Sequence, residues 1–583
     1  MEQEEQQEQQ QDFINQTQPQ QEQVQQEPLA QEQLSQEQVQ QQSEQPQENS
    51  VPPLPQEYFD KVKEGDDLFY EKKYEEALEK FLSIQSYVNE NYPNDMGLLN
   101  NCIANCYYNL GRNEEALPHY EITIKCLPQF ADVDFMLGFL YFKKDMEKSI
   151  KYYYDGLKLK PDLNQFIFLA MSMIKSHMFT QKDLKETFER NIDILRPQLM
   201  KGKPAFTYNN KDYDKNKRLK IGYFSSDFYC HAMMSFVLPI IENHNLDEFD
   251  LVFYGCNEKK DHVTDRIKKI GGEYVDCSQM DYTQIADKIH EDKVDILVDL
   301  GGYTHKKVLW ALLYKPAPVI IQYLGYLGTY GIKEVDYILT DEFTVPPEIA
   351  PYYTEKPLYI GCGMNKFTFQ SENVQHALVT PLPYDNNGYI TFGSYNCRSK
   401  INSYTIKLWS KALNAVPNSK ILMFRTNFEK EDFERLTRQF AENGVTADRI
   451  IFDTKLPPTH VDCYSRSDIA LDPTPFSGLT ITIEQAYMGL PTLTMPSETI
   501  SSKGAARVNL ALGLNEFIAD NEDDFAAKAK AITDDIQKLR YYRANLRRIL
   551  KESYLYGDFR PYVEHIEQAY KRAWSEFCEK ESQ

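Results

Sequence analysis

Between residues 219 and 495, nine short runs of β-branched and aromatic residues alternate with helical stretches. A first series covers 219–224, 251–254, 296–299 and 319–324; a second covers 390–395, 421–424, 450–452, 469–472 and 492–495. Alternation of this kind predicts βαβ units on parallel sheets, because parallel strands are joined by a crossover, usually a helix. Two series, separated by a less regular connector near 345–388, predict two doubly wound, Rossmann-like domains face to face. In that architecture ligands sit outside the carboxyl ends of the strands, so the residues just after each run are where chemistry is to be sought.

The rest of the chain adds two further regions. Residues 1–50 hold 22 Gln and 11 acidic residues and no Lys or Arg. They have almost nothing to bury, so 1–54 is expected to be a disordered tail. From 55 to 200 the pattern is helical and self-similar. Prolines at 93, 128, 161 and 197 recur close to the tetratricopeptide period of about 34 residues. Ala104, Tyr107, Gly111, Ala116, Tyr120 and Pro128 fall at its small, aromatic and turn positions, and Ala77 with Phe81 and Ser149 with Tyr153 repeat the small-to-aromatic step. The domain reading is therefore a tail at 1–54, repeats at 55–200, one lobe at 217–380, a second at 381–555 and a C-terminal helix at 556–583. In that last helix Tyr562, Ile566, Tyr570 and Trp574 step by four along one face, which predicts docking on the core.

Composition excludes several classes. The 583 residues carry 64 Lys+Arg against 87 Asp+Glu, a net charge of −23. An acidic chain without a basic face is not expected to bind nucleic acid. No stretch approaches the roughly 18 apolar residues of a membrane span, and Met1-Glu2-Gln3-Glu4-Glu5 is no signal peptide. The 10 Cys are scattered without CxxC pairs, which fits a reducing compartment, cytoplasmic or nuclear, and no zinc site. Asp132-x-Asp134 is an acidic pair of the kind that can bind a metal, but inside a helical repeat it reads as solvated surface.

The strand exits hold the polar clusters. The first series gives Ser225-Ser226-Asp227-Phe228 followed by His231, then Gly301-Gly302-Tyr303-Thr304, then 324–331, whose three glycines would allow a bulky ligand close to the backbone. The second gives 392–401, FGSYNCRSKI, which carries Arg398 and Lys400 into the cleft, and Asp472 to Glu484, where a Gly-containing turn opens a helix near Thr480. A helix N-terminus facing a cleft is a ready phosphate site, and Lys400 opposite it would complete a diphosphate clamp. Arg425 and Lys455 are further candidate cleft cations; Glu484 also reads as a helix-terminal charge. Dinucleotide, Walker, GxSxG and HExxH motifs are missing, which removes dehydrogenase, kinase, lipase and zincin readings.

In sequence order, SSDF-x-x-H, LGY-x-G-T-x-G, FGSYN-x-x-x-K-I, H-x-x-x-YS-x-x-DIALD and G-x-T-x-T-x-E resemble the catalytic region of the protein O-GlcNAc transferase family. That family includes Spindly-type O-fucosyltransferases and bacterial protein glycosyltransferases. The resemblance covers about 55–580, and it implies tetratricopeptide repeats followed by two facing Rossmann-like domains of the GT-B type with a nucleotide-sugar between them. By resemblance, Lys400 contacts the donor diphosphate, His231 lies beside the reacting centre, His460 contacts the nucleoside, Gly478 and Thr480 hold phosphate, and Glu484 binds the ribose.

The chain departs from the family at several positions. O-GlcNAc transferases carry His-Thr-Thr and Asp where it has Leu479-Thr480-Ile481 and Glu484, Gln where it has Cys397, and Pro where it has Leu327. A long insertion between the lobes is missing, which together with Glu484 looks more like the fucosyl and bacterial branches. The expectation is an inverting, metal-independent glycosyltransferase with no cofactor, using UDP-GlcNAc first and GDP-fucose or UDP-glucose otherwise. Its acceptors would be Ser and Thr of proteins docked on the repeats. The reading from another class is a repeat scaffold that binds nucleotide-sugar without turnover.

Overall fold

The computed structural model describes residues 51–582, except 143, 209–212, 371, 456 and 458, and of 372, 373 and 582 only the backbone. Most of the expected 1–54 tail lies outside the described residues. The chain divides after Leu169 into two compact bodies, each considered by itself. Among the described residues no helix is long and apolar enough to cross a membrane, and no disulfide joins the cysteines.

The first body is built of antiparallel helix pairs: Gln56–Tyr70 with Tyr74–Ser83, Pro93–Asn109 with Asn113–Cys126, and Ala131–Tyr141 with Met146–Leu159. The small-to-aromatic step marks its core: Ala77, Phe81, Ala104, Ala116, Tyr120, Ser149 and Tyr153 are all buried. Asp134 corrects the solvated reading of the Asp132-x-Asp134 pair. Asp132 does pair with Lys160 at 2.8 Å, but Asp134 is buried, and burial, with Asp155 adding, pushes its carboxyl up to about 7. Among the described residues no group of three or more His, Cys, Asp or Glu is placed to hold a metal.

The division falls at 169/170 rather than at 200, inside the helix Leu163–Met173. The helix Gln181–Met200 therefore belongs to the second body, and Pro197 lies within it rather than between repeats. It starts at a Thr180–Asp183 capping box and packs on the first lobe, where Arg196 makes a two-bond pair with Glu334 at 2.7 and 3.1 Å.

The second body holds both sheets. The first lobe has β1 (Leu219–Ser225), β2 (Phe249–Gly255), β3 (Glu273–Asp276), β4 (Ile296–Asp299), β5 (Val319–Gln322), β6 (Tyr337–Thr340) and β7 (Lys356–Tyr359). They form one parallel sheet in the order β3-β2-β1-β4-β5-β6-β7. The second has β8 (Thr391–Ser394), β9 (Lys420–Phe424), β10 (Ile450–Asp453), β11 (Ile469–Leu471) and β12 (Thr492–Leu493), also parallel, in the order β10-β9-β8-β11-β12. All nine runs read from the sequence are strands. In each sheet the chain winds outward on one side and then crosses to the other, between β1 and β4 and between β8 and β11. Those two switch points are where the rule for open α/β sheets puts ligands.

The C-terminal helix Arg560–Ser582 docks on the first lobe through its expected face. The Tyr562 and Tyr570 hydroxyls lie 3.0 and 3.1 Å from those of Tyr323 and Tyr223. The lobes are tied where the helix Gly504–Ala511 meets the 341–344 turn: Lys503 Nζ donates to the Phe343 carbonyl at 2.9 Å and Arg507 to the Thr344 hydroxyl at 3.2 Å.

Candidate active site

The second lobe assembles most of the expected residues at the β8/β11 switch point. These strands pair in register, Ile469 opposite Phe392 and Ala470 opposite Gly393, so two exits about 75 residues apart in sequence meet side by side. Leaving β11, Asp472 ties the donor turn: its carboxylate accepts from the Gly478 N–H at 2.8 Å, the Ser477 hydroxyl at 2.6 Å and the Thr494 hydroxyl at 2.8 Å. Burial pushes this carboxyl up to about 6 despite those bonds. Gly478 is packed closely, since a Cβ there would come within 3.0 Å of Asn396 Oδ1. The helix Thr480–Tyr487 then starts with no side-chain cap, so its first N–H groups are offered to an anion.

Leaving β8, the short turn Arg398–Lys400 brings Lys400 onto the same place. Its Nζ donates to the Ser477 carbonyl at 3.1 Å and stands 4.5 Å from the centre of the Phe476 ring. Burial holds this ammonium below the ordinary lysine value; Cys397 and Asp472 oppose the shift and Arg425 adds to it. Burial would raise the neighbouring Cys397 thiol, but Lys400, Arg425, the Ser399 hydroxyl and Lys175 together bring it below the ordinary thiol range. Arg425, at the end of β9, is buried with Nε unpartnered, as is Asn396 Oδ1. Lys455 is exposed and contributes nothing here.

One turn along the same helix, Glu484 is buried and shared: the Tyr464 hydroxyl donates to Oε2 at 2.6 Å and His460 Nε2 lies 3.2 Å from Oε1. As the fifth residue of the helix it is past the capping positions, so the helix-terminal reading fails. Each oxygen keeps a further acceptor site for a ligand hydroxyl.

His231 is on the other lobe, beyond β1. Its Nδ1 is 3.7 Å from Asp227 Oδ2, and its backbone carbonyl accepts from Gln370 Nε2 at 2.7 Å. No hydrogen bond or ion pair among the described residues joins it to the Lys400 group. Nearby, at the exit of β4, Asp299 accepts from the Gly302 N–H at 2.9 Å and the Tyr330 hydroxyl at 2.5 Å. The glycines of 324–331 do not open a ligand surface: a Cβ on Gly325 would stand 1.8 Å from the Leu300 carbonyl oxygen, and one on Gly331 2.7 Å from the backbone of Phe188 and Glu189. Sequence reasoning passed over Asp472, Asn396 and Tyr464 as site residues, although their places beside Gly478, Lys400 and Glu484 in the quoted motifs were the available signal.

Two parallel-sheet lobes with an uncapped, lysine-faced helix N-terminus at a switch point define a GT-B-like α/β protein. The glycosyl transferase family 41 profile matches residues 190–375 and 364–566, and the chain belongs to that family. It is 30% identical over 390 residues, 66% of its own length and 41% of the relative's, to the tomato (Solanum lycopersicum) protein named "Probable UDP-N-acetylglucosamine--peptide N-acetylglucosaminyltransferase SPINDLY". To the Arabidopsis thaliana protein of the same name ending in SEC it is 28% identical over 373 residues, 62% of its own length and 38% of the relative's. The chain thus spans about two-fifths of the length of these curated relatives. A solved mutant of the O-GlcNAc transferase of Thermobaculum terrenum shares the fold, with a TM-score of 0.69 and 21% identity over 91% of this chain and all of that one.

Proposed function

We propose that the chain is a protein O-glycosyltransferase that moves a sugar from a nucleotide diphosphate, UDP-GlcNAc first, to Ser or Thr hydroxyls of proteins. The observation carrying this reading is the convergence of Lys400 and the uncapped Thr480–Tyr487 helix on one turn. In the reaction the acceptor oxygen bonds to the anomeric carbon as the bond from that carbon to the diphosphate oxygen breaks, with inversion. The proton passes to a base on the His231 side, and negative charge collects on the departing nucleotide. Lys400 and the helix N–H groups face that charge, a role a metal fills in other transferases, so the reaction is metal-independent. His460, Glu484 and Tyr464 hold the nucleoside end. Protein acceptors dock on the helical repeats.

The test is sugar transfer by the full chain to a peptide pool, read by intact-mass spectrometry with UDP-GlcNAc, GDP-fucose and UDP-glucose, with and without a chelator. UDP-GlcNAc should give product in both conditions. Transfer from GDP-fucose alone would change the donor and keep the class. Nucleotide binding with no transfer from any donor would leave a repeat scaffold, and loss of activity on chelation would end the metal-free mechanism.

A further inference from the structure

We propose that Lys175, in the turn between the helices Leu163–Met173 and Gln181–Met200, is a third cation of the donor site and binds the nucleotide's diphosphate together with Lys400 and Arg425. This rests on the donor reading above.

The turn is built onto the second lobe rather than merely passing it. The Ser501 hydroxyl donates to the Ile174 carbonyl at 3.0 Å. The Asn402 side-chain amide donates to the Lys175 carbonyl at 3.1 Å and to the Thr474 carbonyl at 3.2 Å, while its oxygen caps the helix Ser403–Ala415. The His177 ring stacks on Tyr404, with centres 4.5 Å apart and planes 19° apart. Three ties over four residues fix where the Lys175 side chain starts, which is the condition for placing a long, flexible chain at low entropic cost.

That side chain points to the diphosphate site. Its Nζ is 5.9 Å from the centre of the Phe476 ring, the ring on which Lys400 Nζ also stands at 4.5 Å. Among the described residues Lys175 makes no ion pair. Burial, first, holds its ammonium below the ordinary lysine value; the Cys397 thiol opposes this and Lys400 adds to it. Two ammoniums over one ring and a buried guanidinium with its Nε unpartnered, beside an uncapped helix, make a cationic cluster whose charge is costly unless an anion is taken up. A dianionic diphosphate matches it. Lysine supplies this as a point charge that does not need the planar geometry of arginine.

The test compares Lys175→Met and Lys175→Arg with wild-type full chain, by calorimetry with UDP and GDP and by saturation-transfer NMR with the matching nucleosides. Lys175→Met should weaken the bound diphosphate about ten- to a hundredfold, the loss of one charged hydrogen bond, and leave nucleoside affinity unchanged. Lys175→Arg should recover most of it. Equal diphosphate affinity in Lys175→Met overturns the inference and spares the donor reading. Equal weakening of nucleoside and diphosphate overturns it in favour of a purely structural turn. Wild-type protein that binds neither UDP nor GDP overturns both.

Discussion

The two switch points of the second body are finished differently. In the second lobe Asp472, Ser477, Lys400, Tyr464, His460 and Glu484 are linked by hydrogen bonds of 2.6–3.2 Å within the protein. In the first lobe the His231 side chain has a carboxylate at 3.7 Å and accepts one long bond, from the Met233 N–H at 3.4 Å. The difference teaches where each half of the reaction is preorganised. Electrostatic stabilisation of a leaving group works through groups fixed in advance, which cost no reorganisation as charge develops. A group serving an acceptor hydroxyl can be aligned by the acceptor itself, and catalytic hydrogen bonds are often long in the unliganded protein. On the proposed function, the donor half is thus built into the fold, and the acceptor half is completed by substrate.

The comparison breaks most visibly at His231. His231→Ala should reduce transfer by about 10²–10⁴ while leaving UDP affinity unchanged, since the residue serves the acceptor only. Calorimetry beside a mass-spectrometric transfer assay gives both numbers, and a loss of UDP binding would move His231 to the donor half. Lys400→Ala comes next. It should lower turnover by about 10²–10³ beyond any loss of donor affinity, because charge on the diphosphate grows in the transition state. A variant as active as wild type would remove Lys400 from the diphosphate site.

The same contrast governs what could be read from the sequence. Strand existence was legible at all nine short apolar runs. Three strands were not: β3, with the sequence Glu273-Tyr274-Val275-Asp276 and one buried side chain, and β7, which contains Pro357, because short edge strands carry the charges and prolines that weaken the signal, and the interior β6, Tyr337–Thr340, which is fully buried but only four residues long and was passed over. Lys400, Gly478 and Thr480 were legible because strand exits and helix starts follow from local pattern. Asp472 was not singled out, since its role lies in accepting three bonds from a turn that only the fold closes over it. Glycines 325 and 331 misled for a related reason: sequence marks a glycine's freedom but not whether ligand or backbone fills the space. Asp134 misled likewise, because the repeat period says which face is buried only once the neighbouring helices are placed.

Glu484 sharpens the donor side at a smaller scale. Its carboxylate is held by Tyr464 and His460 with acceptor capacity to spare. Glu484→Gln should therefore weaken binding of donor and free diphosphate alike, by about 1–3 kcal/mol. Equal affinities for the variant and wild type would make this group a packing element of the second lobe. Weakened binding with an unchanged melting temperature separates ligand contact from support of the fold.

The smallest effect tests the two halves by proton count. Lys400 sits below the ordinary lysine value, chiefly through burial, and Cys397 below the ordinary thiol value through the cations around it. A diphosphate beside Lys400 favours the ammonium and raises its pKa. The same anion disfavours the Cys397 thiolate and raises that pKa too. Both shifts have one sign, so UDP binding should take up protons and affinity should fall as pH rises. Calorimetry in two buffers of different ionisation enthalpy, repeated over a series of pH values, should find an uptake that Cys397→Ser reduces and Lys400→Met reduces further. His231→Ala should leave it unchanged, because its lobe gives the diphosphate no titrating group. Proton release on binding, or an uptake abolished by His231→Ala, would show that the halves are not separate and that the acceptor side already feels the donor's charge.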